Sequence, residues 1–79
     1  KAGQLSTIRL DSIIKNPQFV CIYNMQGQLL SSKRYGLESI VNRTELRFTI
    51  PQLPAGEYAI KLIDEKTRFT KSALMMVQQ

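Results

Sequence analysis

The sequence predicts an all-β fold, a small antiparallel sandwich or barrel of about six to seven strands. Short runs of alternating apolar and polar residues recur at roughly ten-residue intervals. Pro, Gly and Asn punctuate the gaps between them. No stretch of useful length sustains a helical period. The clearest run is Leu53-Pro54-Ala55-Gly56-Glu57-Tyr58-Ala59-Ile60-Lys61-Leu62-Ile63. Its front half is a turn, with Pro54 presetting φ and Gly56 supplying a backbone freedom that other residues lack. Its back half alternates, Tyr58, Ile60 and Leu62 facing one way and Glu57, Ala59 and Lys61 the other, as a half-buried strand requires.

Taken in order, residues 1–4 read as a frayed linker end. Ile8, Leu10 and Ile14 share one parity and Thr7, Arg9 and Asp11 the other, which predicts a first strand over about Ser6–Ile13. Lys15-Asn16-Pro17 breaks it, because Pro17 disfavours helix at Asn16 and cannot donate to a ladder. Phe19–Tyr23 is a β-rich run. Asn24-Met25-Gln26-Gly27 then makes a tight turn, with Asn24 and Gly27 placed for positive φ. Gln28–Lys33 returns as the partner strand, with Val20 and Ile22 on the core side opposite Leu29 or Leu30. The adjacent leucines leave the register open and allow a small bulge.

Arg34–Glu45 has no clean period and reads as a crossing loop with a brief edge strand, a short helix over Leu37–Asn42 being the alternative. Asn42-Arg43-Thr44 fits a glycosylation tripeptide but serves here as a loop marker. Leu46–Ile50 is a strand, ended by Pro51 and Pro54. After the Glu57–Ile63 strand, Asp64–Thr67 turns the chain into a last strand from Arg68 to Val77. There Phe69, Ala73, Met75 and Val77 share a parity with Lys71. Either Lys71 lies at a sheet edge with its ammonium in water, or a bulge resets the alternation. Met75 and Met76 must face opposite ways in a regular strand.

Composition narrows the function. Seventy-nine residues make one domain near the lower limit for a self-sufficient core. With 43% apolar and 22% charged residues the chain is globular. The net charge of +5 is spread singly, only Lys33 and Arg34 being adjacent, so it reads as solubility charge and no nucleic-acid partner is expected. The single cysteine, Cys21, lies in an apolar run and reads as a small buried residue. The absence of histidine removes every His-based dyad and triad. Asp64 and Glu65 are adjacent carboxylates on an exposed turn, pointing apart. No phosphate loop, paired-cysteine motif or metal-ligand cluster appears, so the chain is not expected to be an enzyme or to need a cofactor. No run approaches a membrane span. The start at Lys1 has neither initiator Met nor signal-peptide core, which suggests a piece of a longer chain.

What remains is surface recognition, and here the chain resembles a known family. "LPAGEYAIKLID" followed by "FTKSALMMVQ", with "VCIYNMQGQLL" earlier, is similar to the type A C-terminal sorting domain of type IX (Por) secretion cargo in Bacteroidetes. The resemblance spans about Phe19 to Gln79; the Pro-Asn-Pro segment that often opens family members has no match. It implies an Ig-like sandwich over residues 1–79 and no catalysis. It also implies a role as the signal that takes a parent protein through the periplasm, across the outer membrane and to the cell surface or medium. Implied partners are the type IX translocon and a sortase-type cysteine protease, with the parent joined to anionic lipopolysaccharide. By position, the residues linked to recognition are Leu53, Gly56, Tyr58, Thr70, Lys71, Met76, Val77, Gln78 and Gln79; Asn24 and Gly27 match the hairpin turn. Gly27, Gly56 and Tyr58 also have plain structural explanations in turn geometry and packing. The rival reading is an accessory sandwich for adhesion or carbohydrate binding, which needs an exposed aromatic platform. Unpaired strand edges would also allow a homodimer.

Overall fold

Two runs of alternating residues, Gln18–Tyr23 and Gly56–Asp64, pair antiparallel at the centre of the fold. The computed structural model describes residues 5–10 and 13–78. Within them the strands are β1 (Leu5–Arg9), β2 (Gln18–Tyr23), β3 (Leu29–Tyr35), β4 (Ile40–Val41), β5 (Glu45–Thr49), β6 (Gly56–Asp64) and β7 (Thr70–Val77). A single 3-10 turn, Leu37–Ser39, precedes β4. One sheet has the order β1-β5-β4 and the other β3-β2-β6-β7, every pair antiparallel. The two sheets face each other as an Ig-like sandwich.

Alternation dictates the core. Val20 and Ile22 of β2 lie opposite Leu62 and Ile60 of β6, and all four are buried. Leu46 and Phe48 of β5 meet them from the other sheet, with Ile14, Tyr35, Ile50, Tyr58 and Val77 completing the cluster. Leu46 is wholly buried, at 0% exposure. Each such aliphatic side chain contributes about 1.5–3 kcal/mol by burial. A chain of this length has a net stability of only about 4–12 kcal/mol. Few of these side chains are dispensable.

Several sequence expectations are corrected. β1 stops at Arg9, opposite Glu45 where β5 begins, so no ladder remains for the expected continuation to Ile13. The Leu10 N–H instead donates to the Thr44 carbonyl at 2.8 Å, and that of Ile14 to the Arg43 carbonyl at 2.7 Å. Positions 11 and 12 of the expected strand lie outside the described residues. Neither Leu29 nor Leu30 opposes the core residues of β2. Val20 pairs with Lys33 and Ile22 with Ser31; the register then slips so that Leu29 faces Tyr23. Leu30 takes up that bulge, and both leucines are exposed. Phe69 is also exposed, because its carbonyl closes the turn by accepting the Asp64 N–H at 2.8 Å. Arg68 before it has φ of 65°, and the ladder starts only at Thr70.

The Asn24–Gly27 turn forms, with the Gly27 N–H donating to the Asn24 carbonyl at 3.0 Å. Gly27 has φ of 88°, but Asn24 does not adopt positive φ. Its side-chain oxygen accepts from the N–H groups of Gln26 (3.0 Å) and Gln28 (2.9 Å), so asparagine acts through its amide. The expected crossing loop over Arg34–Glu45 is shorter than predicted: Arg34 and Tyr35 extend β3 and Glu45 opens β5, leaving the 3-10 turn and the brief edge strand β4 between them. No bulge resets the alternation before Ala73. The β6–β7 register is unbroken, with Leu62 opposite Lys71, so Lys71 faces the sandwich at an edge.

Asp64 is the part of the fold least visible in the sequence. It is a hub, not a bare turn carboxylate: it accepts from the N–H groups of Thr67 and Lys66 (2.9 Å each), from the Gln18 amide (3.0 Å) and from the Asn16 amide (3.2 Å). These bonds tie the turn after β6 to the chain entering β2. They hold the Asp64 carboxyl down at about 2, the Thr67 N–H being the largest cause. A depressed folded value means that the stabilisation is fully present above the ordinary carboxylate range and is lost as pH falls through it toward about 2. Asp64→Asn should therefore lower the melting temperature at neutral pH. It should also flatten the acid limb of the stability curve below about pH 4. Thermal melts of both proteins from neutral pH to pH 2.5 check this; parallel curves would remove the role.

Candidate functional site: a tyrosine corner and the last strand

The segment with most sequence signal folds into a corner. Leu53 packs half-buried on the core, Pro54 and Ala55 are exposed, and Gly56 opens β6. The buried Tyr58 turns back so that its hydroxyl donates to the Pro54 carbonyl at 2.5 Å. A tyrosine at the entrance to a strand, bonding to backbone a few residues upstream, is the tyrosine corner of Ig-like sandwiches. The Leu-x-x-Gly-x-Tyr spacing is thus explained by local geometry. Leu53 anchors the loop, Gly56 bends it, and Tyr58 ties it down.

Gly56 has φ of +151°, and a Cβ placed there would meet nothing within 4 Å. The demand for glycine is therefore one of backbone angle alone. Gly56→Val should destabilise the domain by about 1–3 kcal/mol, the usual cost of holding a side chain in such a region. Gly56→Ala should fall in the same range, because the strain is in the backbone and not in the size of the group. Chemical denaturation of both variants tests this, and a much smaller loss for alanine would point to a steric cause instead.

β7 carries the other sequence-predicted residues, and the structure divides them. Val77 is 2% exposed and lies in the core, opposite Gly56. Met76 is 58% exposed, opposite Glu57. Gln78 is exposed, and Gln79 lies outside the described residues. Thr70 is exposed, its hydroxyl donating to the Arg68 carbonyl at 3.3 Å. Lys71 is half-buried. The corner and the chain end are thus adjacent. Thr70 and Lys71 sit at the far end of β7, about 20 Å away at strand rise. These residues cannot line one pocket; they mark two ends of a strip.

The outer face of the four-stranded sheet holds what sequence reasoning missed. Register places Leu74, Ala59, Tyr23 and Leu29 in one row across all four strands. Leu74 is 67% exposed and Leu29 55%. Met76 lies next to this row, and the Lys61 ammonium sits 5.4 Å from the centre of the Tyr23 ring. The signal was present in the opposite parity of β7 but is legible only once four strands are in register. Cys21 is buried on the same sheet, its Sγ 3.5 Å from the Ser32 hydroxyl.

Glu65 is occupied by Arg34 at 2.6 Å, which holds its carboxyl below the usual range. Arg9 and Glu45 form a second pair at 2.6 Å. Among the described residues no group of carboxylates and thiols could hold a metal ion. No helix there is long and apolar enough to cross a membrane. Tyr35 and Tyr58 are buried and so give no aromatic platform for a carbohydrate; the Tyr35 hydroxyl accepts the Thr49 N–H at 3.1 Å, joining the two sheets. What the geometry offers is an apolar, strand-shaped surface.

A family model described as a secretion system C-terminal sorting domain matches residues 3–76. No curated protein and no solved structure matches the chain.

Proposed function

The chain belongs to the secretion system C-terminal sorting domain family, the signal of type IX export, and from that premise we propose that the folded sandwich itself is the address. It directs a parent protein from the periplasm through the outer membrane to the cell surface or the medium. The translocon would read the strip along β7, with Leu74, Met76 and Gln78 on its outer side toward the chain end, Thr70 on that side at the turn, and Lys71 beside it on the edge that faces the sandwich. Leu53, Gly56, Tyr58 and Val77 hold that strip in shape without touching the partner. A sortase-type cysteine protease then releases the parent and joins it to an anionic lipopolysaccharide.

The family match along almost the whole sandwich carries this reading. The exposure of Leu74 and Met76 supports the choice of surface: large apolar groups in a row mark contact sites more often than bare surface. The test is a fusion of residues 1–79 to the C-terminus of an inert, signal-peptide-bearing reporter in a bacterium with type IX secretion. Arrival of the reporter at the surface or in the medium is the expected result. A folded, soluble reporter retained in the periplasm would overturn the proposal.

A further inference from the structure

The sandwich is open along one seam. β1 ends the three-stranded sheet and β7 the four-stranded one, and between them runs a groove of about 280 Å³. Lys71, Ala73 and Met75 form one wall and β1 the other, with Phe48 and Ile60 as the floor. The cause is a single small residue. Register sets Ile22, Ile60 and Ala73 in one inward-facing row. Ile22 and Ile60 are buried, yet Ala73, facing the same way, is exposed. Its methyl group is too short to reach across to β1.

β7 is also the edge best suited to accept another strand. It pairs with β6 without a break from Gly56–Val77 to Ile63–Thr70 and contains no proline. Its outer edge has no strand partner among the described residues. Two other edges are blunted: β4 is two residues long and β3 carries the Leu30 bulge; β1, the fourth edge, borders the same groove but has five residues against the eight of β7. Unpaired, regular edges are templates for strand addition. Charge selects the occupant. Lys71 and Arg9 line the groove from opposite walls, Arg9 also holding Glu45.

The geometry points to β7 as the acceptor for an extended segment of a partner protein, added by backbone pairing along its open edge. Alternate side chains of the segment enter the groove, apolar ones opposite Met75 and Ala73 and a carboxylate opposite Lys71. This deepens the sorting reading, since it names the chemistry by which β7 is read.

Ala73→Leu separates recognition from folding. The larger side chain fills the groove, so the domain should melt no lower than wild type while the entering side chain is shut out. The probe is a synthetic eight-residue peptide of alternating valine and threonine with one aspartate at a groove-facing position, titrated into the 79-residue chain by NMR. Expected are saturable shifts confined to β7 and β1. Ala73→Leu should weaken binding by about tenfold or more, the discrimination of one side-chain pocket. A peptide methylated on its pairing nitrogens should not bind. Absence of saturable binding, shifts centred on β3, or affinity untouched by Ala73→Leu would each overturn the assignment. So would concentration-dependent self-association through β7, which would make a second copy the occupant. In the reporter fusion, sorting that is intact for both wild type and Ala73→Leu overturns the groove and keeps the sorting role. Failure of the wild-type fusion alone overturns the sorting role while the titration still decides the groove.

Discussion

Tyr58→Ala should be the most destabilising single truncation at the corner, removing about a third or more of the domain's stability. Truncating a buried aromatic side chain costs about 3–5 kcal/mol, against a net stability of about 4–12 kcal/mol for a chain of this size. Two losses combine here. The ring leaves the core beside Ile60 and Val77, and the Pro54 carbonyl loses the hydroxyl that holds the corner. Tyr58→Phe isolates the second loss, because it keeps the ring; one hydrogen bond is worth about 1 kcal/mol net. Circular dichroism melts of the two variants should therefore rank phenylalanine close to wild type and alanine far below it. Export of a fused reporter should follow the same ranking. A Tyr58→Ala protein that melts like wild type and still fails to be exported would make Tyr58 a contact residue.

Removing Met76–Gln79 should cost stability and export together. If the terminus acted only as a bare recognition tail, its deletion would spare the fold. Val77 sits in the core and pairs with Gly56, and Met76 pairs with Glu57. The truncation discards a side chain whose burial contributes about 1.5–3 kcal/mol, and it removes the last rungs of the β6–β7 ladder. The separating variant is Met76→Ser with Leu74→Ser. Both side chains stand outward and more than half exposed, so stability should change by no more than about 0.5 kcal/mol per site. Export should fall sharply if that face is read. Urea titrations alongside the reporter assay check both halves; export that survives the double serine variant would move recognition to another face.

Strand parity explains why so much of this fold was legible. Val20, Ile22, Ile60 and Leu62 alternate with polar or smaller neighbours, and the period alone places them in the core. The Leu53–Tyr58 stretch was legible for a related reason, since proline and glycine restrict or widen φ whatever surrounds them. Where local rules gave out, long-range pairing decided. The adjacent Leu29 and Leu30 satisfied either parity, and only the bulge opposite Ile22 and Tyr23 turned both outward. Asp64 looked like an ordinary turn residue because two of its partners, Asn16 and Gln18, lie far back in the chain. The proposed recognition strip was half legible. Thr70, Lys71, Met76 and Gln78 were picked out by motif and Leu74 was not, and the division between Val77 inside and Met76 outside needed the register. Ala73 gave no sign of its seam, because a small residue at an inward position reads as ordinary packing until its neighbours across the gap are placed.

The order of the strands has a consequence for how such a signal is made. β2, formed early in the chain, finds its central partner only in β6, and the core closes only when Val77 of β7 arrives. Half a sandwich has no stable intermediate to offer, since its inner face would stand open to water. A parent protein cut short by interrupted synthesis or by proteolysis upstream of β6 therefore lacks the assembled sandwich, however much of its own sequence is intact. On the proposed reading of the folded domain as the address, the domain would then serve as a receipt for a completed chain.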